Sequence, residues 1–196
     1  MKINYFFIFV AVMCLSAGAT DFTAQGRGGR RQGGGGGAPR TSSPSDSAPS
    51  SGSTALDQFK SGSLSYIKGD YRTAIESYSK ALELEKKKPT LDKMLWYVLI
   101  DNLGLSYGMT GNLKKEKEVF EYGLSQDSKY PLFYYNLACV WAGMSNLDNT
   151  ISNLKLAFEY KSNAIPGESL PDPANDDKLA KYRHDDRFES VLKGLP

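Results

Sequence analysis

The sequence predicts an all-α fold in which helix pairs stack one after another into a solenoid. A short string recurs three times along the chain, beginning at residues 69–71, 111–113 and 145–147. The last two strings begin 34 residues apart, a period typical of helix–turn–helix repeats. From Ala55 onward, apolar residues also recur at helical spacing. Folds of this kind present surfaces more often than they carry chemistry, which favours a binding surface over a catalytic site.

The first residues have the composition of a secretory signal peptide. Lys2 gives a short positive start, and an apolar run of about 11 residues follows at residues 5–15. Small residues at positions 17–19 suit a signal peptidase, so we expect residues 1–19 to be removed, with cleavage after Ala24 as the alternative. An uncleaved anchor is the competing interpretation, although the run is short for a membrane span. The mature chain is expected to be exported, whether periplasmic, envelope-associated or secreted, without a transmembrane helix.

Charge and cysteine content narrow the classes of function. The formal net charge of +2 gives no general attraction to nucleic acid or acidic lipid. Cys14 would leave with the signal peptide, so Cys139 cannot form an intrachain disulfide in the mature chain. Its apolar, helical surroundings predict a buried side chain rather than a reactive thiol.

Residues 20–54 consist mainly of Gly, Ser, Pro and Thr with a few Arg, and they offer little apolar surface to bury. Such a segment cannot offset the entropy lost on ordering, so we expect a disordered linker. Arg27, Arg30 and Arg31 lie among its glycines, and arginine–glycine segments bind single-stranded nucleic acid in other proteins. The signal peptide upstream argues against nucleic acid, whereas contact with an anionic envelope surface stays an alternative.

Residues 55–161 contain three in-phase copies of one pattern. The first copy supplies a whole second helix at residues 69–84, and the others supply a first helix, with Gly104 and Ala138 in matching places. This pattern resembles the tetratricopeptide repeat family. The resemblance implies a right-handed helical solenoid of three helix pairs, at residues 55–88, 97–130 and 131–164. Its structural positions are occupied by Gly62, Gly69, Ala74, Tyr78, Ala81, Gly104, Tyr107, Gly111, Phe120, Ala138 and Trp141.

The residue types at these positions agree with close helix packing. Only a small side chain fits where two helix backbones approach, and bulky neighbours fill the remaining space. Gly69 and Gly111 are expected to end first helices in a left-handed conformation. The expected N-caps of the second helices are Asp70, Asn112 and Asn146. Glu116 takes a position that is alanine in the first copy, so its carboxylate needs solvent or a lysine partner such as Lys117.

Residues 165–196 do not form another repeat, because three prolines mark a loop at residues 166–173. Residues 183–188 read Arg-His-Asp-Asp-Arg-Phe. This string resembles the Arg-x-Asp-x-Arg-Phe segment that closes many bacterial proteins of the same family, with Asp186 in place of the usual proline. The resemblance implies a C-terminal capping helix whose apolar residues cover the last helix pair.

In this family, peptides bind on the concave face, which the first helices line. The resemblance therefore implies a protein or peptide partner, held as an extended segment or as a helix. Carried over by position, the candidate binding face is Phe59, Ser63, Tyr66, Asp101, Asn102, Leu105, Met109, Tyr135, Asn136 and Cys139. Asn102 and Asn136 are interpreted either as ligands of a peptide backbone or as residues that stabilise the scaffold.

Some members of the family grip a peptide's terminal carboxylates with a clamp of lysine, asparagine and arginine. Asn102 alone matches that clamp here, and Phe59, Ser63, Leu132 and Asn136 take its other positions. We therefore expect no carboxylate clamp on this face.

The sequence predicts no enzyme, no cofactor, no metal site and no small-molecule substrate. His184 is the one histidine, and it lies beside two acids in a segment expected to be solvated. The acidic pairs Glu83/Glu85 and Asp176/Asp177 are interpreted as solvent-facing charge. The expected function is a non-catalytic protein-interaction scaffold. The alternatives are a binder acting through the Arg/Gly-rich linker and an accessory subunit of an envelope enzyme.

Overall fold

The computed structural model describes residues 53–196, and this part of the chain confirms an all-α fold. It contains seven α-helices, two short 3-10 helices and no β-strand. The predicted signal peptide and nearly all of the predicted linker lie outside the described residues. The helices are α1 (Ala55–Ile67), α2 (Tyr71–Lys87), α3 (Lys93–Met109), α4 (Leu113–Gln126), α5 (Pro131–Gly143), α6 (Leu147–Glu159) and α7 (Asp186–Gly194). None of the helices within residues 53–196 has the length and apolarity that a membrane crossing requires.

The first six helices pack in pairs along the chain. The most extensive contacts join α1 to α2, α3 to α4 and α5 to α6, and smaller ones join α2 to α3 and α4 to α5. A short turn connects the members of each pair, so that they run antiparallel. The first helices of the three pairs, α1, α3 and α5, also contact one another in that order. They therefore lie side by side.

The turn inside each pair uses the same backbone geometry. Gly69 and Gly111 have φ angles of +75° and +80°, and Ser145 takes the same place with a φ of +61°. A left-handed residue at this place ends the first helix, as the sequence predicts for the two glycines. The next residue caps the second helix, because its side-chain oxygen accepts a hydrogen bond from the N–H three residues further on. These N-caps are Asp70, Asn112 and Asn146.

Helix α1 begins with a capping box. The Thr54 hydroxyl accepts a bond of 3.1 Å from the N–H of Asp57, and the Asp57 carboxylate accepts one of 3.1 Å from the N–H of Thr54. Both backbone donors at the start of the helix are thereby satisfied. Thr54 consequently caps the helix, although the sequence places it at the end of the linker.

Glycines beneath aromatic rings set the packing inside the first two pairs. A Cβ atom at Gly62 would lie 2.6 Å from the ring of Tyr78, and one at Gly104 would clash with the ring of Phe120. Both rings are completely buried, so neither can move aside into solvent. Ala74, Ala81 and Ala138 are also completely buried, whereas Tyr107 and Trp141 are half-buried.

A buried carboxylate holds the connection between α2 and α3. Glu85 accepts hydrogen bonds from the N–H groups of Thr90 and Leu91, at 2.9 Å and 3.1 Å, and from the Thr90 hydroxyl at 2.7 Å. Its side chain is therefore withdrawn from solvent. The interpretation of Glu85 as solvent-facing charge was wrong, because the connection after Pro89 folds back over the carboxylate.

The chain after α6 returns across the last helix pair. The 3-10 helices Lys161–Asn163 and Asp177–Tyr182 flank an irregular segment, and α7 follows. Leu179 and Phe188 are completely buried in one cluster with Leu154 of α6. The second 3-10 helix contacts α5, and α7 contacts α6. The apolar residues of this C-terminal part therefore cover the sixth helix and its partner.

Candidate functional site

The ten residues of the candidate binding face, called the first-helix face below, differ widely in exposure. The buried ones are Phe59, Asp101, Asn102, Tyr135 and Cys139. The half-buried ones are Ser63, Tyr66, Leu105 and Asn136. Met109 is 58% exposed. The accessible apolar part of this face therefore lies on α1 and α3, at Tyr66, Leu105 and Met109.

A chain of polar bonds joins α1 to α3 through Tyr78 of α2. The Asn102 amide donates to the Tyr78 hydroxyl at 3.1 Å, and that hydroxyl donates to Ser63 Oγ at 3.1 Å. Ser63 in turn donates to the carbonyl oxygen of Phe59 at 2.9 Å. Burial raises the pKa of Tyr78 to about 12, so its hydroxyl keeps its proton and remains a donor. The Asn102 amide therefore already has a hydrogen-bond partner within the scaffold.

A second polar bond joins α3 to α5. The Asn136 amide donates to Asp101 Oδ1 at 3.0 Å. Burial raises the pKa of Asp101 well above its usual value, the nearby Glu168 carboxylate raises it further, and the bond from Asn136 opposes both effects. Asp101 and Asn136, both on the first-helix face, thus bind each other across α3 and α5.

The α5 part of the face is covered by residues 164–176, which we call the strap. The Tyr130 hydroxyl donates to Glu168 of the strap at 2.6 Å. Tyr130 is held in place by Tyr97 of α3, because the two rings stack with centroids 3.8 Å apart and planes only 2° from parallel. Leu170 of the strap packs against both hydrophobic clusters of the molecule. The strap therefore lies against both α3 and α5.

The end of the strap contacts two further residues of the face. The Tyr135 hydroxyl donates to Asp176 Oδ2 at 2.8 Å, and Cys139 Sγ lies 3.7 Å from the same oxygen. Burial raises the pKa of the Cys139 thiol well above its usual value, and the negative charge of Asp176 adds to that effect. The thiol is therefore protonated and buried, as the sequence predicts. Asp176 itself is buried, so its interpretation as solvent-facing charge was wrong.

The sequence predicts the strap only as a proline-containing loop. Its prolines exclude a regular helix, but nothing in the spacing indicates which surface a loop will cover. The bonds from Tyr130 to Glu168 and from Tyr135 to Asp176 join residues far apart in the chain, so no local pattern could have predicted them.

Glu116 of α4 lies beside Lys178, which follows shortly after the strap in the chain. Its side chain is 3% exposed, and Lys178 Nζ lies 3.9 Å from Glu116 Oε1. Burial raises the pKa of Glu116 to about 7, and the Lys178 charge partly opposes this rise. The partner is a lysine distant in the chain; the adjacent Lys117 binds Glu121 instead.

The described residues show little that suggests catalysis. No group of three His, Cys, Asp or Glu side chains within residues 53–196 is arranged to hold a metal ion. An open groove of about 510 Å³ lies between α6 and α7, with Asp148, Lys155 and Arg187 among its lining residues. Arg187 binds Asp148 across it at 2.9 Å. What the geometry offers instead is a face that holds an irregular segment of chain.

Comparison with known proteins gives no family for this chain. No model of a protein family matches it. No curated protein matches it either.

Proposed function

We propose that residues 55–161 form three tetratricopeptide repeats and that the protein is a non-catalytic interaction scaffold. In this proposal, the three helix pairs build a right-handed solenoid, and a partner peptide binds along the first helices. The observation that carries the proposal is the strap. An irregular, non-helical segment already lies against α3 and α5, held by tyrosine hydroxyls and one leucine.

Repeated packing details support the proposed repeats. The same glycine-under-ring contact occurs in the first two pairs, at Gly62 with Tyr78 and at Gly104 with Phe120. A left-handed residue followed by an N-cap occurs at all three turns. Structural agreement of this kind between successive pairs is expected of repeat proteins, in which each unit buries its apolar face against the next.

The accessible residues indicate the kind of partner that the open end of the face suits. Tyr66, Leu105 and Met109 give it an apolar and aromatic character. No residue of the first-helix face is Lys or Arg, so a peptide's terminal carboxylate has no cation to bind there. An internal, extended segment of a protein partner fits these residues better than a chain terminus.

We also propose that the protein acts outside the cytoplasm. The support for export is the signal-like composition of residues 1–19. A partner would then be another exported or envelope protein.

Substitution of Met109 tests the proposed binding face. Because Met109 is exposed, Met109→Glu places a charge on the apolar surface without disturbing the core. We expect cross-linking capture of the partner to fall about tenfold, whereas the melting temperature stays unchanged. Lys80→Gln is the matched control, since it changes the charge by the same amount at an exposed position of α2. Equal capture by the wild type and by Met109→Glu would rule out binding at this end of the face.

A further inference from the structure

We propose that the strap is a displaceable occupant of the first-helix face, and that the partner binds α3 and α5 by taking its place. This inference rests on the proposed function. It adds a regulated step, in which the protein covers part of its own binding face until a competing segment arrives.

The strap occupies the face through several side-chain contacts. Glu168 accepts from Tyr130, Leu170 packs between the two hydrophobic clusters, and Asp176 accepts from Tyr135. Two of the buried residues on the face, Tyr135 and Cys139, owe part of their burial to these contacts. Removal of the strap would therefore uncover surface on α5 for a competing peptide.

The backbone of the strap is bonded locally. Its amides donate to carbonyl oxygens only a few residues away, from Ala164 to Lys161, from Glu168 to Ile165 and from Asn175 to Asp172. Gly167 has a φ of +90°, which marks a bend that a side chain would strain. Because these bonds do not join the strap to the first helices, they need not break when it leaves.

The strap also brings a carboxylate to an unfavourable place. Glu168 lies close enough to the buried Asp101 for the two charges to interact, and burial further raises the pKa of Glu168 above its usual value. Asp101 receives a hydrogen bond from Asn136. Ionisation of both carboxylates at once is therefore unfavourable while the strap is in place.

These contacts specify the chemistry of a competing segment. It would have an apolar side chain at the place of Leu170 and an uncharged hydrogen-bond acceptor at the place of Glu168. The Tyr130 hydroxyl would donate to that acceptor as it now donates to Glu168, while the repulsion with Asp101 would be absent. Such a peptide should therefore bind better than the strap's own sequence.

Three variants of the full chain test the proposal with a labelled synthetic peptide as the probe. The peptide has the sequence of residues 164–176 with Glu168→Gln. Leu170→Ala loosens the strap of the protein, so the peptide should bind about tenfold more tightly than to the wild type. Glu168→Gln in the protein removes the repulsion, so its strap should hold better and peptide affinity should fall about threefold. Ser169→Ala, at an exposed position of the strap, is the control and should change nothing.

Limited proteolysis of the strap is measured on the same proteins. We expect faster cleavage within residues 164–176 in Leu170→Ala and slower cleavage in Glu168→Gln. Equal peptide affinity across the variants, despite different cleavage rates, would overturn the proposal. Absence of peptide binding to every variant would also overturn it. If Leu170→Ala unfolds, the peptide affinities and cleavage rates of Glu168→Gln and the wild type still test the proposal.

The two proposals fail in different ways. If the peptide does not compete with the strap but Met109→Glu abolishes partner capture, the scaffold function stands and the strap is only structural. If Met109→Glu leaves partner capture unchanged, binding at the open end of the face is refuted, whatever the peptide does.

Discussion

Tyr78 shows how one residue serves both the packing of a helix pair and the face above it. Its ring lies over Gly62, and its hydroxyl binds Ser63 of α1 and Asn102 of α3. A change beneath the ring should therefore disturb the first pair and the contact with the second.

Gly62→Ala should lower the free energy of unfolding by about 1–3 kcal/mol. The added Cβ would lie 2.6 Å from a completely buried ring, and the resulting strain outweighs the better helix propensity of alanine. Urea denaturation measures the change. Gly194→Ala is the control, because nothing lies within 4 Å of a Cβ atom built at that position. The free energy of unfolding of this variant should stay level or rise slightly.

Glu116 should make the stability of the protein depend on pH. Its pKa rises from 4.5 to about 7 in the folded protein, so folding favours the protonated form. The free energy of unfolding should fall as the pH rises from about 4.5 to about 7 and then level off. Glu116→Gln should remove this fall and raise stability above pH 7 by at most about 3 kcal/mol.

Thermal melts between about pH 4 and pH 8 test this dependence. Glu121→Gln, an exposed acid on the same helix, is the control. Parallel stability curves for the wild type and Glu116→Gln would contradict the assignment of the effect to Glu116.

At the scale of the element, the three turns inside the pairs are equivalent in backbone but not in residue type. Ser145 adopts a left-handed φ that Gly69 and Gly111 adopt without strain. The Ser145 hydroxyl does bind Lys181 Nζ at 2.9 Å, but this bond is exposed and weakly stabilising.

Ser145→Gly should raise the free energy of unfolding by about 0.5–1 kcal/mol, because it relieves left-handed strain. The reverse change, Gly111→Ser, should lower it by about 1 kcal/mol. Chemical denaturation of both variants provides the comparison. Shifts of the same sign in the two variants would show that the turns are not equivalent.

The turns and N-caps of these helices could be predicted from the sequence. The contacts that cover the first-helix face could not. Asp70 and Asn112 cap helices through bonds that span three residues, so the sequence pattern contains the whole interaction. Tyr135 and Asp176, in contrast, meet only because the strap crosses α5. Glu85 was interpreted as solvent-facing for the same reason. The spacing of apolar residues does not show that the connection after Pro89 folds over its carboxylate.

At the scale of the whole molecule, the described residues contain two hydrophobic clusters. One extends from α1 to α5, and the other joins α5, α6 and the C-terminal part. Leu170 packs against both clusters, so the strap ties the helix pairs to the C-terminal part while it covers the face. Loosening the strap should therefore uncover the face and also weaken the packing that both clusters make with Leu170.

The linker and its arginines lie outside the described residues, so the linker-based alternative stays a prediction. Deletion of residues 25–40 separates the two functions. A partner held by the first-helix face should still bind after the deletion, whereas a ligand held by the arginines should be lost. In the undeleted protein, the affinity for such a ligand should fall steeply as the salt concentration rises.

Site-specific photo-cross-linking tests the central claim, that a protein partner binds on the first helices, most directly. A photoreactive amino acid at Met109 of α3 is compared with one at Lys80 of α2, in the mature protein within its native compartment; both positions are exposed. We predict a discrete cross-linked partner from position 109 and none from position 80. The same products from both positions, or a partner from position 80 alone, would contradict the account.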